Sequence, residues 1–338
     1  MTPDHNFLSA PLWLVNVLHI LTLTLHFLAM NFLLGGTVVV LFGKFQDKWN
    51  DVTVKKFIKL FPNAMAATVT LAVAPLLFLQ LTYYQPVYSA SIVSAWFWLL
   101  IVVAAIVLYY LLYAASFSKV EGKGKRGLYY SIVLCLLLYI SFIYSSVFSM
   151  AERPELIKAL YTGNQTGFVI NPEIGTYVFR WLHMILGAIT VGAFFVGWLG
   201  KDNPPAYKVG KQFFLWGMIA TCLIGFVYMF TLGENLRFFM RSPGIWAITL
   251  GLVLSLGSLH FFIKKKFTPA SLMLFVSLLF MVYARHVLRK LYLFIDFDPS
   301  KIPFSPQWSV FILFLVCFVI AIGLVWYMLK LFLDSQKE

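Results

Sequence analysis

Nine apolar stretches, each about twenty residues or longer, punctuate this 338-residue chain and dominate what it can become. A run of that length, coiled at about 1.5 Å per residue, matches the hydrocarbon thickness of a bilayer. Backbone exposed to lipid must satisfy its own N–H and C=O groups, and these runs are too long for barrel strands, so each is expected to be a helix. The spans lie near 12–42, 57–83, 92–117, 127–149, 176–199, 211–232, 244–263, 269–292 and 308–333. The expected fold is an all-α integral membrane bundle forming a single transmembrane domain over 1–338. A composition of 61% hydrophobic and 12% charged residues excludes an ordinary soluble domain.

The net charge of +13 would suggest a nucleic-acid partner in a soluble protein. Here the basic residues sit between apolar runs, so they report topology and no nucleic acid is expected. Lys44, Lys48, Lys55, Lys56 and Lys59 follow the first span, and Lys119, Lys123, Lys125 and Arg126 follow the third. Lys201, Lys208 and Lys211 follow the fifth, and Lys264, Lys265 and Lys266 the seventh. The alternate connections carry fewer, and Tyr84 to Ser91 carries none. This alternation puts the N-terminus outside and the C-terminus inside, as an odd number of spans requires. With no Lys or Arg before the first run, a cleaved signal peptide is not expected. Cys135, Cys222 and Cys317 lie singly in apolar runs and make neither a disulfide framework nor a zinc site.

The arginines sort differently from the lysines. Apart from Arg126 they fall at or near the outer face: Arg153, Arg180, Arg237, Arg241, Arg285 and Arg289. A planar guanidinium grips a carboxylate with two hydrogen bonds, which orientation alone does not need. Ordinary pairing with Glu152, Glu155, Glu173, Glu234, Asp296 and Asp298 accounts equally well for Arg153, Arg237 and Arg241. Arg180, Arg285 and Arg289, at helix ends beside histidines, favour a functional role. No acidic residue stands in the middle of a span, which argues against a proton- or cation-coupled transporter.

Of six histidines, His5 belongs to the N-terminal tail and His260 to the inner interface. His19, His183 and His286 each lie roughly 9–10 Å below the outer edge of their spans, counted at the helical rise. Three imidazoles expected at one depth, with arginines above them, suit axial ligation of haem iron and pairing with haem propionates. His26, two turns below His19 on nearly the same face, is a further possible ligand. Gly35-Gly36, Gly187, Gly192 and Gly197 would admit either a flat macrocycle or a neighbouring helix.

Three segments carry a family likeness. Leu18-His19-Ile20-Leu21, followed by Ala29-Met30-Asn31-Phe32-Leu33-Leu34-Gly35, resembles the first helix of the cytochrome bd quinol oxidase large subunit, the CydA-like family. Lys59-Leu60-Phe61 fits that family's second helix. Arg180-Trp181-Leu182-His183-Met184, followed by Gly192-Ala193-Phe194-Phe195-Val196-Gly197, resembles its R-F-x-H-x…T-G-A-x-F helix. The resemblance implies a bd-like bundle in a prokaryotic cytoplasmic membrane. It implies that His19 binds the haem of the oxygen site and that His183 is an axial ligand of a low-spin b haem.

The departures redirect that reading. Trp96 to Phe117 lacks the family's helix-three glutamates, Gly233 to Pro243 replaces its long quinol loop, and Gly244 to Ile263 offers no ligand methionine. Where the family has E-x-G-R-Q-P-W with a ligand glutamate, this chain has His286-Val287-Leu288-Arg289-Lys290, so His286 is expected to replace that glutamate. Loss of the carboxylates removes proton delivery to an oxygen site, and imidazole favours an electron-transferring b haem. The expectation is a cytochrome b subunit with two or three b haems near the outer face. It would pass electrons between quinol and a partner, an extracytoplasmic cytochrome c or another redox subunit. His19, His183 and His286 would be iron ligands; Arg180, Arg285 and Arg289 would contact the cofactor. Glu234 and Arg237 are quinol-site candidates by position alone. A reduced-size bd-type quinol:oxygen oxidoreductase and a haem-free anchor or transporter subunit remain alternatives.

Overall fold

Local chemistry marks where many helices begin. Asp51 accepts from the backbone N–H groups of Thr53 and Val54 at 2.8 and 3.1 Å, capping the helix that starts at Val52. Prolines occupy the first turns of the helices that start at Pro154, Pro204 and Pro243, where a missing N–H costs nothing. The computed structural model describes residues 8, 10–45, 47–117, 123–303, 305 and 307–335. His5, Lys119 and the side chain of Lys123 lie outside the described residues.

The helices are α1 (Leu12–Phe42), α2 (Val52–Thr82), α3 (Tyr84–Val93), α4 (Ala95–Phe117), α5 (Lys123–Ala151), α6 (Pro154–Gly163), α7 (Ile174–Leu199), α8 (Pro204–Phe230), α9 (Asn235–Met240), α10 (Pro243–Ile263), α11 (Phe267–Leu293) and α12 (Trp308–Ser335). Among the described residues, nine of these are long and apolar enough to cross a membrane: α1, α2, α4, α5, α7, α8, α10, α11 and α12. All nine expected spans are therefore helices of membrane length. The apolar pattern located them well but underestimated several, because helix continues into polar flanks such as Val52–Lys56 and Pro204–Gly210.

The short helices α3, α6 and α9 were not anticipated. The Tyr84–Ser91 connection is largely α3, with Pro86 in its first turn, where proline is tolerated. All three lie at the bundle end that carries the arginines.

Helices α1 and α2, α7 and α8, and α10 and α11 pair as neighbours, and α1 also packs on α7. The α1–α7 crossing depends on glycine. A Cβ on Gly35 would overlap the Ala188 carbonyl, and one on Gly192 would overlap the backbone of Gly35 and Gly36. Phe57 and Phe61 fill the space beside Gly36, and Phe262 fills that beside Gly197. Gly35, Gly36, Gly192 and Gly197 thus serve close helix approach and side-chain packing, whereas a Cβ on Gly187 would meet only Thr221 Cγ2, at an ordinary contact distance of 3.9 Å. Below the crossing, Phe57, Phe61, Phe194, Phe214 and Phe262 form a fully buried aromatic core at the lysine-bearing end. By contrast, none of the Trp308–Met328 segment of α12 is buried in the bundle.

Candidate functional site

At the opposite end, three guanidiniums close on one carboxylate. Arg180 of α7 donates to Glu152 Oε2 at 3.0 Å and to the Ser145 carbonyl at 2.6 Å. Arg285 of α11 donates to Glu152 Oε1, and Arg289 Nε stands 3.8 Å from the same oxygen. Glu152, Arg180 and Arg289 are buried, and Arg285 is half-buried. Burial alone would push the Glu152 carboxyl upward, but the charges of Arg285, Arg180 and Arg289 outweigh it and hold the group below its ordinary value. The cluster still carries three cations against one anion. Within it, Arg285 Nη1 and His286 Nδ1 are buried without hydrogen-bond partners. Such groups are costly unless something else neutralises or satisfies them.

Glu152, expected as an ordinary loop charge, is instead the shared partner of three arginines. Its signal was there to be read. It directly follows the C-terminus of α5, where the helix dipole disfavours an anion, so a carboxylate kept there needs cations close by.

The same cluster reaches two histidines. Arg289 Nη1 lies 3.4 Å from His19 Nε2, and the His19 and His286 rings face each other with centroids 6.4 Å apart. His19 Nδ1 bonds the Pro75 carbonyl at 3.1 Å. A carbonyl only accepts, so Nδ1 carries the proton and Nε2 presents a lone pair. Five of the expected cofactor residues, His19, His286, Arg180, Arg285 and Arg289, therefore meet around Glu152.

His183 does not join them. Its Nδ1 donates to the Thr221 carbonyl of α8 at 3.0 Å, with its ring seated on Gly225. The three histidines were expected at one depth, and the α1–α7 crossing places them otherwise. From Gly35, His19 is sixteen residues up α1, about 24 Å; from Ala188 and Gly192, His183 is five to nine residues up α7, about 8–14 Å. Equal distance from a helix end is not equal depth, because the ends themselves are not level. His26 donates from Nδ1 to the Thr68 carbonyl at 3.0 Å. With His19 and Pro75 it makes a two-rung ladder to α2, stepping seven residues along each helix. That face lies roughly opposite Gly35 and α7, so His26 and His183 point away from each other.

Other candidates are scattered. Glu234 and Arg237 are exposed around α9, and His260 is exposed near the end of α10. Arg153 pairs with Glu173 near the surface. A cavity of about 580 Å³ opens beside the cluster, lined among others by Glu152, Tyr292, Asn235, Glu155 and Asp296.

Haem can be tested against this geometry. Among the described residues, no three of His, Cys, Asp and Glu gather as a metal-ion site, but a haem needs only one or two protein ligands. A metal–imidazole bond is about 2 Å, so one iron between two imidazoles puts their centroids roughly 6 Å apart. The His19–His286 separation matches, and the fixed tautomer presents the correct nitrogen. The guanidinium of Arg289 now stands at that nitrogen and would have to turn aside, with the Glu152 carboxylate already within reach. The donor set fits.

No protein-family model matches the chain, and no curated protein proves similar to it. The fold and site define a multi-pass helical membrane protein with a buried histidine–arginine–glutamate cluster at one end.

Proposed function

We propose that the chain is a membrane cytochrome b subunit, a diverged relative of the bd-oxidase large subunit, passing electrons between quinol and an extracytoplasmic redox partner such as cytochrome c. The arginine-bearing end is taken as the outer face of a prokaryotic cytoplasmic membrane, with the lysine-bearing end inside. The single observation that carries this reading is the His19–His286 pair, 6.4 Å apart, with the His19 proton held on Nδ1 so that Nε2, now facing Arg289, is the acceptor nitrogen.

In this reading His19 and His286 would hold one b haem and His183 a second, deeper one; the Nδ1–carbonyl bonds of His19 and His183 leave Nε2 as the ligand nitrogen, from which Arg289 would turn aside at His19. Arg180, Arg285 and Arg289 face the propionates with the surplus charge that Glu152 leaves. The apolar helices exclude water from the imidazoles. Bound haem supplies one-electron transfer. Quinol oxidised at the outer face gives up its electrons inward and its protons to the outer water, beside the cavity next to Glu152 and Tyr292. The exposure of Glu234 and Arg237 leaves them as candidates only for contact with quinol or partner at the surface.

One observation favours a second reading, a haem-free membrane subunit: all three arginines find a protein carboxylate in Glu152. A pyridine haemochrome spectrum of the purified protein decides between them. A protohaem α-band is expected, and its absence ends the cytochrome reading. Rapid oxygen uptake on added quinol would instead assign a bd-type oxygen reductase.

A further inference from the structure

We infer that Glu152 is a positioning residue that sets the redox potential of the haem at the His19–His286 pair, acting as a fixed negative charge through Arg289. This rests on the cytochrome reading above and adds a role to a residue that binds no iron.

Glu152 has no ordinary structural duty at its position. It does not cap a helix, since it directly follows the C-terminus of α5, where a carboxylate opposes the helix dipole. Nor does it give Arg180 its sole partner, because that guanidinium also donates to the Ser145 carbonyl. Its carboxylate is 5% exposed and receives side chains from two other helices, α7 and α11. One of those side chains, Arg289, spans from Glu152 to the ring of His19. A charge in so dry a place is weakly screened and acts over many ångströms. Three guanidiniums alone would favour the ferrous state of an adjacent haem, because they repel the extra positive charge of ferric iron. One carboxylate among them offsets a third of that cationic charge and stabilises the ferric state. The surrounding field and hydrogen bonding are the levers by which a protein tunes a b haem.

The test is an equilibrium redox titration of the purified protein at fixed neutral pH, followed at the haem α-band, on four forms. Glu152→Gln keeps the shape and removes the charge, and its midpoint is expected to rise. Glu152→Asp keeps the charge and is expected to titrate like wild type. Arg285→Gln removes a cation and is expected to shift the midpoint downward. A brace without electrostatic reach would lower stability in Glu152→Gln and leave the midpoint of the retained haem where it was. An unmoved or lowered midpoint in that variant overturns the inference while leaving the cytochrome reading intact. If Glu152→Gln retains no haem, Arg285→Gln decides, and an unmoved or raised midpoint there overturns it. Absence of any α-band in wild type removes the cytochrome reading and this inference together.

Discussion

Arg289 Nη1 stands 3.4 Å from Nε2 of His19, joining residues 270 positions apart in the chain. The contact links the start of the first membrane helix to the end of the eighth, and Arg289 Nε lies 3.8 Å from Glu152 as well. One guanidinium thus connects a neutral imidazole to a buried carboxylate. Replacing it by leucine removes the donor at His19 and one of the three cations around Glu152. In the proposed site that guanidinium leaves Nε2 and pairs with a haem propionate, a charge-assisted bond worth about 1.5–3 kcal/mol, or roughly 10–100-fold in affinity. Arg289→Leu is expected to lower the haem-to-protein ratio on that scale under dilute haem. Arg153→Leu, at an exposed pair with Glu173, should leave the ratio alone. Equal haem retention in both variants would refute a cofactor role for Arg289.

The ligand assignments separate cleanly. His19→Ala and His286→Ala remove opposite sides of one ring pair, so they are expected to give the same spectral loss. His183→Ala, on a different helix pair, should remove a different component. His260→Ala, exposed near the end of α10, should change nothing. Absorption difference spectra of the four variants check this. Full haem with an unaltered spectrum in His286→Ala would show that its imidazole is not a ligand.

Much of the fold was legible because lipid leaves few choices. Apolar length alone located α1, α4 and α10 within a few residues. The site was legible in residue type but not in arrangement. Arg180, Arg285 and Arg289 stood out as costly charges at helix ends, yet their shared partner is Glu152, brought there by three-helix packing that no local pattern encodes. Depth failed for a similar reason. His19 and His183 are nearly equidistant from their own helix starts, but Gly35 and Gly192 set how α1 slides against α7, and that register depends on tertiary contact.

Glu152 also makes stability depend on pH. Its folded-state pKa is held below the ordinary 4.5, so its contribution is fully present above that value and is lost as pH falls through the folded one. Breaking such a buried pair costs about 3–5 kcal/mol. The melting temperature of Glu152→Gln in detergent is therefore expected to lie well below wild type at neutral pH. The difference should narrow on acidification below about pH 4.5. A gap that stays constant down to strongly acid pH would mean that the carboxylate's charge is not what stabilises the cluster.

The helix crossing offers a stability contrast that is independent of any cofactor. A Cβ on Gly192 would run into the backbone of Gly35 and Gly36, whereas one on Gly175, in the first turn of α7, meets nothing within 4 Å. Gly192→Ala must push α1 and α7 apart, and overpacking of this kind costs about 1–3 kcal/mol or more. Gly175→Ala should be neutral or gain up to about 1 kcal/mol from helix propensity. Thermal unfolding of the two variants side by side reads the difference, and similar melting temperatures would contradict the close crossing.

Gly225 gives the most local test of His183. An added Cβ would stand 2.9 Å from its ring Cε1 and 3.0 Å from Nδ1, closer than ordinary contact allows. Because the added Cβ is fixed to the α8 backbone, the imidazole must yield, and its 3.0 Å bond to the Thr221 carbonyl is strained or lost. That bond fixes the proton on Nδ1, so its loss frees the ring to turn and to exchange tautomers. The bond itself is worth about 1 kcal/mol net, so the fold should survive. Gly225→Ala is therefore expected to shift the haem component that His183→Ala abolishes, while the component tied to His19 and His286 stays in place. Low-temperature absorption spectra resolve the two. A shift confined to the His19–His286 component, or no shift at all in a folded variant, would remove His183 from the ligand set.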